Sequence, residues 1–134
     1  DPAGQKVTSY RLSQSVEVTS AAVDQVAKLD QQTSLLVEQG VLFTTETPRF
    51  IYTKAGEAKI EMLAEATKDA RARAEQIASQ GGRTVKELRA AKMGVFQITP
   101  LYSSRATSSW EGENDTRSLE KSITAVVNAT FSMN

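Results

Sequence analysis

The sequence of 134 residues contains no cysteine and no histidine. Without cysteine the chain has neither a disulfide framework nor a thiolate site, and the redox state of its compartment stays open. Without histidine it lacks the side chain that most often serves as a general base or a metal ligand near neutral pH. These two absences argue against most nucleophilic and metal-dependent active sites.

The chain also has no net charge, because 16 basic residues balance 16 acidic ones. No basic field therefore attracts nucleic acid or anionic lipid, and we expect no nucleic-acid partner. No apolar run approaches the roughly 18 residues of a membrane span, so no transmembrane segment is expected. No signal peptide is visible either, although the start Asp1-Pro2-Ala3-Gly4 fits a processed or engineered end.

The most regular stretch that the sequence does contain is residues 53–82. It has no proline, and it is rich in Ala, Glu, Lys, Arg and Met, which favour helices. Thr53 can cap its beginning, and the pair Gly81-Gly82 can end it. An apolar stripe with helical spacing is predicted to face the core, and it consists of Ile60, Leu63, Thr67, Ala70, Ala74 and Ile77.

Strands are predicted on both sides of this helix, and two of them, residues 10–18 and 123–133, alternate apolar and polar residues. The four predicted strands cover residues 10–18, 41–52 with a break at Pro48, 90–99 and 123–133. Gly94 inside the third strand indicates a bulge or a close backbone approach. The last two strands are predicted to pair as a hairpin.

A further helix is predicted from a Ser20 cap to about Gln39, and Gly40 ends it. The predicted order is β-α-β-α-β-β, which indicates an α+β fold with two helices packed on one face of a four-stranded, mostly antiparallel sheet. We interpret residues 1–134 as one domain, with residues 1–6 disordered or a processed start. Residues 103–118 form a long polar loop in this interpretation.

The acidic loop at residues 111–116 offers oxygen ligands for Ca²⁺, but it lacks the spacing of an EF-hand. A solvated loop is the better interpretation, and we assign no metal, cofactor or catalytic residue. Arg71 and Arg73 could pair with a protein partner, although pairs with Glu75 and Asp69 on the same helix are the simpler interpretation.

The remaining candidate partner-binding residues lie in and after the polar loop. Trp110 is a lone tryptophan in polar surroundings, so it either packs on the body or anchors a partner, as exposed aromatic residues do in interfaces. Tyr102 lies at the start of the same loop. Ile123 and Val127 belong to the last strand, which carries a charge only at its start, on Lys121, and therefore has little protection as a sheet edge.

Six stretches of the chain, in the order of the family, resemble the SIMPL-domain family of bacterial envelope proteins. They are YRLSQSVEV (10–18), EQGV (38–41), FIYT (50–53), ATKDARARAE (66–75), MGVFQITP (93–100) and NDTRSLEK (114–121) followed by the last strand. The resemblance implies a periplasmic or outer-membrane-associated protein. It also implies a homo-oligomer, because some members of the family assemble into ring-like or channel-like oligomers. Family members usually have more sequence before residue 10, so the chain resembles the larger, C-terminal part of such a protein.

Two classes of function remain open. The first is a non-catalytic envelope module that acts through self-assembly or through an envelope protein partner. The alternative is a small-ligand-binding protein or an enzyme with a pocket between the helices and the sheet. The absence of histidine, cysteine and any cofactor motif favours the first class.

Overall fold

A computed structural model describes residues 4, 6–103 and 112–134 of the protein. The chain divides into two compact units, Asp1–Pro48 and Arg49–Asn134. The first unit contains helix α1 (Val23–Glu38), and the second contains helix α2 (Ala55–Gln80) and strands β1 (Val85–Pro100) and β2 (Lys121–Met133). The α+β class agrees with the prediction, whereas the interpretation of residues 1–134 as one domain stays a prediction.

Helix α1 closely matches the helix predicted from Ser20 to Gln39. The Ser20 hydroxyl accepts a hydrogen bond of 3.0 Å from the N–H of Ala22, just before the first helical residue. The helix stops at Gly40, which has a φ of 83° and is followed by a hydrogen bond from the N–H of Val41 to the carbonyl of Leu36. Glycine adopts this left-handed conformation without strain, so it ends the helix as predicted.

The prediction of a four-stranded sheet is wrong, because the sheet formed by the described residues has two strands, β1 and β2. Residues 10–18 and 41–52 form no strand, and residues 10–18 are exposed throughout, with Leu12 94 % exposed. Alternation with a period of two makes a segment suitable for a strand, but the strand forms only when a partner supplies hydrogen bonds. The sequence pattern does not identify that partner.

The predicted hairpin is confirmed. Strand β1 pairs with β2 in antiparallel register, from Val85 opposite Met133 to Pro100 opposite Lys121. The register shifts between Met93 and Phe96, which confirms the irregularity predicted at Gly94. A Cβ atom at Gly94 would lie 3.4 Å from the Val126 side chain, so the two backbones approach closely there.

One face of β2 is half-buried and the other is exposed. Ile123, Ala125, Val127, Ala129 and Phe131 make up the half-buried face, which we call the inner face of β2. Thr124, Val126, Asn128 and Thr130 make up the exposed face, which we call the outer face. This alternation is the one predicted for the last strand.

Helix α2 covers the inner face of the sheet and packs mainly on β2. Its predicted end at the glycine pair is confirmed, whereas the cap predicted at Thr53 is wrong, because Lys54 is the N-cap and no side chain caps the helix. The predicted stripe is only partly correct, because Ile60 is 72 % and Ile77 is 73 % exposed. The buried and half-buried positions of α2 form a stripe of mostly small residues, namely Ala55, Ala58, Met62, Ala66, Thr67, Ala70, Ala74 and Ala78. Thr67, Ala70 and Ala74 belong to the predicted stripe.

The alanines of this stripe allow the backbone of α2 to approach the sheet more closely than isoleucine side chains would. Most members are four residues apart, which is slightly more than one helical turn, so the stripe winds slowly around α2. A winding stripe can follow the twist of a β-sheet. The buried positions of α2 are accordingly alanines, whereas Ile60 and Ile77 are mostly exposed.

Candidate functional site

A short segment, Gly112 to Thr116, lies along the outer edge of β1 at its C-terminal end. The N–H of Ile98 donates a hydrogen bond of 2.7 Å to the carbonyl of Glu113, and the N–H of Asp115 donates one of 2.9 Å to the carbonyl of Ile98. Ile98 and Asn114 therefore form a parallel bridge. We call residues 112–116 the edge segment, because it covers this end of β1.

The chain just before α2 also forms a hydrogen bond with the edge segment, on the side away from β1. The N–H of Phe50 donates a hydrogen bond of 2.7 Å to the carbonyl of Thr116. Phe50 belongs to the segment 41–52 that the sequence predicts as a strand. Its hydrogen bond links this segment to the edge segment. The edge segment is thus held from β1 on one side and from Phe50 on the other.

Asp115 anchors the edge segment. Its carboxylate accepts hydrogen bonds from the N–H groups of Arg117 and Ser118, both 3.1 Å long. The Nζ atom of Lys121 lies 3.0 Å from Oδ2 of Asp115 and also donates a hydrogen bond of 2.7 Å to its carbonyl. Both side chains are more than nine-tenths buried. The sequence predicts that this carboxylate lies in a solvated or calcium-binding loop. In the structure its hydrogen bonds hold the loop in place.

The environment of Asp115 stabilises its ionised form. Burial raises the pKa of this carboxyl, but the hydrogen bonds from Arg117, Lys121 and Ser118 outweigh that effect and lower the pKa to about 2. A carboxyl whose pKa is lowered in the folded state stabilises the fold above its unfolded pKa of 3.8 and loses this contribution as pH falls towards 2.

We therefore expect the Asp115→Asn variant to be less stable than the parent above about pH 4. The difference between the two melting temperatures should shrink as pH falls from about 4 to 2, because the parent then becomes protonated at Asp115. Thermal unfolding of both proteins at several pH values measures this, and Asp69→Asn is the matched control because its carboxylate is 59 % exposed. A difference that is constant from pH 5 to 2 would contradict the assigned role of Asp115.

The two edges of the sheet differ in their charge. The stretch of β1 that the edge segment does not cover carries Lys86, Glu87, Arg89 and Lys92, and charges of this kind prevent another strand from pairing. Strand β2 pairs with β1 only, within the residues that the structure describes. Residues 122–134 carry no charged side chain, and the ammonium group of Lys121 forms an ion pair with the carboxylate of Asp115. The free edge of β2 thus lacks the usual protection.

Arg71 and Arg73 form the ion pairs that the sequence suggested. Arg71 Nε lies 2.9 Å from Glu75, and Arg73 Nε lies 2.9 Å from Asp69. The guanidinium of Arg71 also lies 5.9 Å from the ring centroid of Phe131, on the inner face of β2. These exposed pairs contribute only a few tenths of a kcal/mol each. A role of either arginine in partner binding stays a prediction.

The structure describes three of the four other predicted partner residues. Tyr102 is 94 % exposed, with a φ of 61°, in the turn after β1. Ile123 and Val127 lie on the inner face of β2, so their backbones, rather than their side chains, are at the strand edge. Trp110 lies outside the described residues.

Two shallow surface depressions lie in the second unit. One is polar and is lined by Pro100 and residues 113–118. The other lies between α2 and the sheet and is lined mainly by apolar residues, including Ala74, Ile77, Val85, Phe131 and Met133. In the described ranges, no group of three His, Cys, Asp or Glu residues could hold a metal ion, and neither helix has the length and hydropathy of a membrane span.

Sequence reasoning missed the ion pair between Asp115 and Lys121. The available signal was an aspartate followed by polar residues whose N–H groups its carboxylate can bind, which is the pattern of an Asx turn. The sequence alone favours a solvated loop, because the contribution of Lys121 depends on where β2 begins.

Comparison with known proteins identifies the family of this chain. The sequence profile of the SIMPL family, described as a protein of unknown function (DUF541), matches residues 1–131. No curated protein and no solved structure matches the chain. The matched region contains both helices and nearly all of the hairpin, including the edge segment. On this evidence the chain belongs to the SIMPL family.

Proposed function

We propose that this protein is a non-catalytic module that self-assembles through the free edge of β2. The observation that carries the proposal is the uncharged run of residues 122–134 along a strand of 13 residues with one hydrogen-bonded neighbour among the described residues. A free edge presents a row of unpaired N–H and C=O groups, and strand addition satisfies these groups with main-chain hydrogen bonds. A different envelope protein that adds a strand at this edge is the alternative partner.

The difference between the two edges supports this proposal. Strand β1 has charged side chains along its open part and the edge segment along the rest, so two means of protection are present there. Within the part of the chain that the structure describes, strand β2 has neither. An edge that was selected only to stay free in solution would be expected to carry the charges that β1 carries.

The proposed location is the bacterial envelope, in the periplasm or at the outer membrane. Its support is the resemblance of the sequence stretches named above to bacterial envelope proteins. Fractionation of cells that express the full-length protein tests this location, and recovery with the cytoplasmic fraction would contradict it.

Self-assembly is tested by sedimentation velocity over a range of micromolar concentrations. We expect the parent chain to associate as concentration rises and the double variant Thr124→Lys/Thr130→Lys to associate at least about tenfold more weakly, because it adds charges along the edge. The matched control is Ala72→Lys/Gln76→Lys, which adds the same charge on the exposed side of α2. A parent that is monomeric at every concentration would refute self-assembly.

The alternative function is binding of a small ligand in the depression between α2 and the sheet. Its lining favours an apolar ligand, because Ala74, Val85 and Phe131 contribute to it. A hydrophobic fluorescent dye that binds the parent, and that loses affinity in Ala74→Phe but not in Ala72→Phe, would favour this alternative over assembly.

A further inference from the structure

We propose that the occupant of the free β2 edge is the β2 strand of a second copy, paired in antiparallel register about a two-fold axis at Val127. This inference rests on the proposed function and specifies its geometry. The pairing joins two hairpins into one four-stranded antiparallel sheet.

The register follows from the length and pattern of β2. Strand β2 runs from Lys121 to Met133, so Val127 is its midpoint, and it is also the middle residue of the inner face. Pairing about Val127 therefore gives the largest number of ladder hydrogen bonds that two β2 strands can form. A two-fold axis also makes the interface isologous, with the same surface on both copies.

The side chains of β2 are self-complementary in this register. On the inner face, Phe131 lies opposite Ile123 of the second copy, and pairs of an aromatic and a β-branched residue stabilise sheets. Ala125 lies opposite Ala129, so small residues meet in the middle, next to the Val127 pair. On the outer face, Thr124 lies opposite Thr130, and such threonine pairs are also favourable across strands.

The two-fold axis stands perpendicular to the joint sheet, because two antiparallel strands then direct their inner faces to the same side. Both α2 helices consequently cover one face of the joint sheet. The outer faces form a continuous exposed surface on the opposite side. No side chain with a charge lies between residues 122 and 134 to oppose this contact.

A charge exchange across the interface tests the register. In Thr124→Lys/Thr130→Lys, each new lysine lies opposite a lysine of the second copy, whereas in Thr124→Lys/Thr130→Glu each lies opposite a glutamate. We expect the lysine–glutamate variant to dimerise at least about tenfold more tightly at low salt, with a smaller difference at high salt. A parallel pairing would instead place like charges opposite each other in both variants.

Cross-linking provides a second measurement, because the chain contains no natural cysteine. In the proposed register residue 126 lies opposite residue 128, and directly opposite residues have Cα atoms about 4.5–5.5 Å apart, which a disulfide can span. An oxidised mixture of Val126→Cys and Asn128→Cys should therefore give several times more cross-linked dimer than either variant alone. The control Lys92→Cys/Asn128→Cys places two cysteines opposite each other within one hairpin and should form an internal disulfide.

The outcomes separate this inference from the proposed function. Dimers with the mixed cross-link and a tighter lysine–glutamate variant support the register. Dimers without the mixed cross-link, and with equal affinity of both charge variants, overturn the register and leave self-assembly in place. A full-length chain that is monomeric at all concentrations overturns both.

Discussion

Replacing Gly112 with alanine is expected to lower the free energy of unfolding by about 2–5 kcal/mol. Gly112 has a φ of 79°, a conformation that costs other residues about 1–2 kcal/mol. A Cβ atom at this position would also collide with the carbonyl oxygen of Phe96. That oxygen belongs to the backbone of β1, so it cannot move away as a flexible side chain would, and overpacking of this kind costs about 1–3 kcal/mol.

Gly82→Ala is the matched control for this prediction. Gly82 has a φ of 66°, and a Cβ atom there would meet no other atom within 4 Å. This variant should lose only the conformational part, about 1–2 kcal/mol. Urea unfolding followed by circular dichroism measures both changes. Equal losses for the two variants would show that the edge segment does not press against Phe96.

Hydrogen exchange distinguishes a local response from a global one. If the edge segment detaches in Gly112→Ala, the N–H groups of Ile98 and Asp115 lose their partners and should exchange faster than in the parent. The N–H groups of α2 should keep their protection in that case. Unchanged exchange at Ile98 and Asp115 would contradict the close packing of the edge segment.

The sequence predicts α2 and the hairpin well because both depend on local signals. Helix α2 has strong helix formers and a glycine pair at its end, and its observed range Ala55–Gln80 lies just inside the predicted one. The last strand shows clear alternation, and strand pairing between chain neighbours needs little further information. Gly94 also identified the irregularity in β1 correctly.

The strands predicted at residues 10–18 and 41–52 failed because their formation depends on distant partners. Residues 10–18 alternate as regularly as β2 and residues 41–52 contain two apolar runs, yet neither segment lies in a sheet, and Leu12 and Leu42 are almost fully exposed. A strand is stabilised by hydrogen bonds to a neighbour, and the period of two does not show whether a neighbour is present.

The contact stripe of α2 shows a second limit of sequence reasoning. The size of their side chains favoured Ile60 and Ile77 as core residues, whereas the buried residues of α2 are Ala58 and Ala78, which are 8 % and 3 % exposed. Alanine contributes little to a hydrophobicity pattern, but it permits close approach of two backbones. The candidate assembly edge, in contrast, was predictable, because it depends on the absence of charge along the last strand.

Replacing Ile98 with alanine is expected to destabilise the protein by about 2–4 kcal/mol. Ile98 is 2 % exposed, the most buried of the core residues, and truncation of a buried isoleucine loses both transfer free energy and packing. Ile98 lies opposite Ile123 of β2 and forms hydrogen bonds with the edge segment on its other side. A cavity at this position therefore weakens the packing of β1, β2 and the edge segment together.

Ile77→Ala is the control for the Ile98 variant, because the same atoms are removed from a side chain that is 73 % exposed. Its stability should stay within about 0.5 kcal/mol of the parent, since surface substitutions have small effects and alanine is the better helix former. Urea unfolding at a concentration where all proteins are monomeric compares the three. If Ile77→Ala loses as much as Ile98→Ala, the isoleucine stripe and not the alanine stripe of α2 packs on the sheet, because only burial of Ile77 could make its truncation that costly.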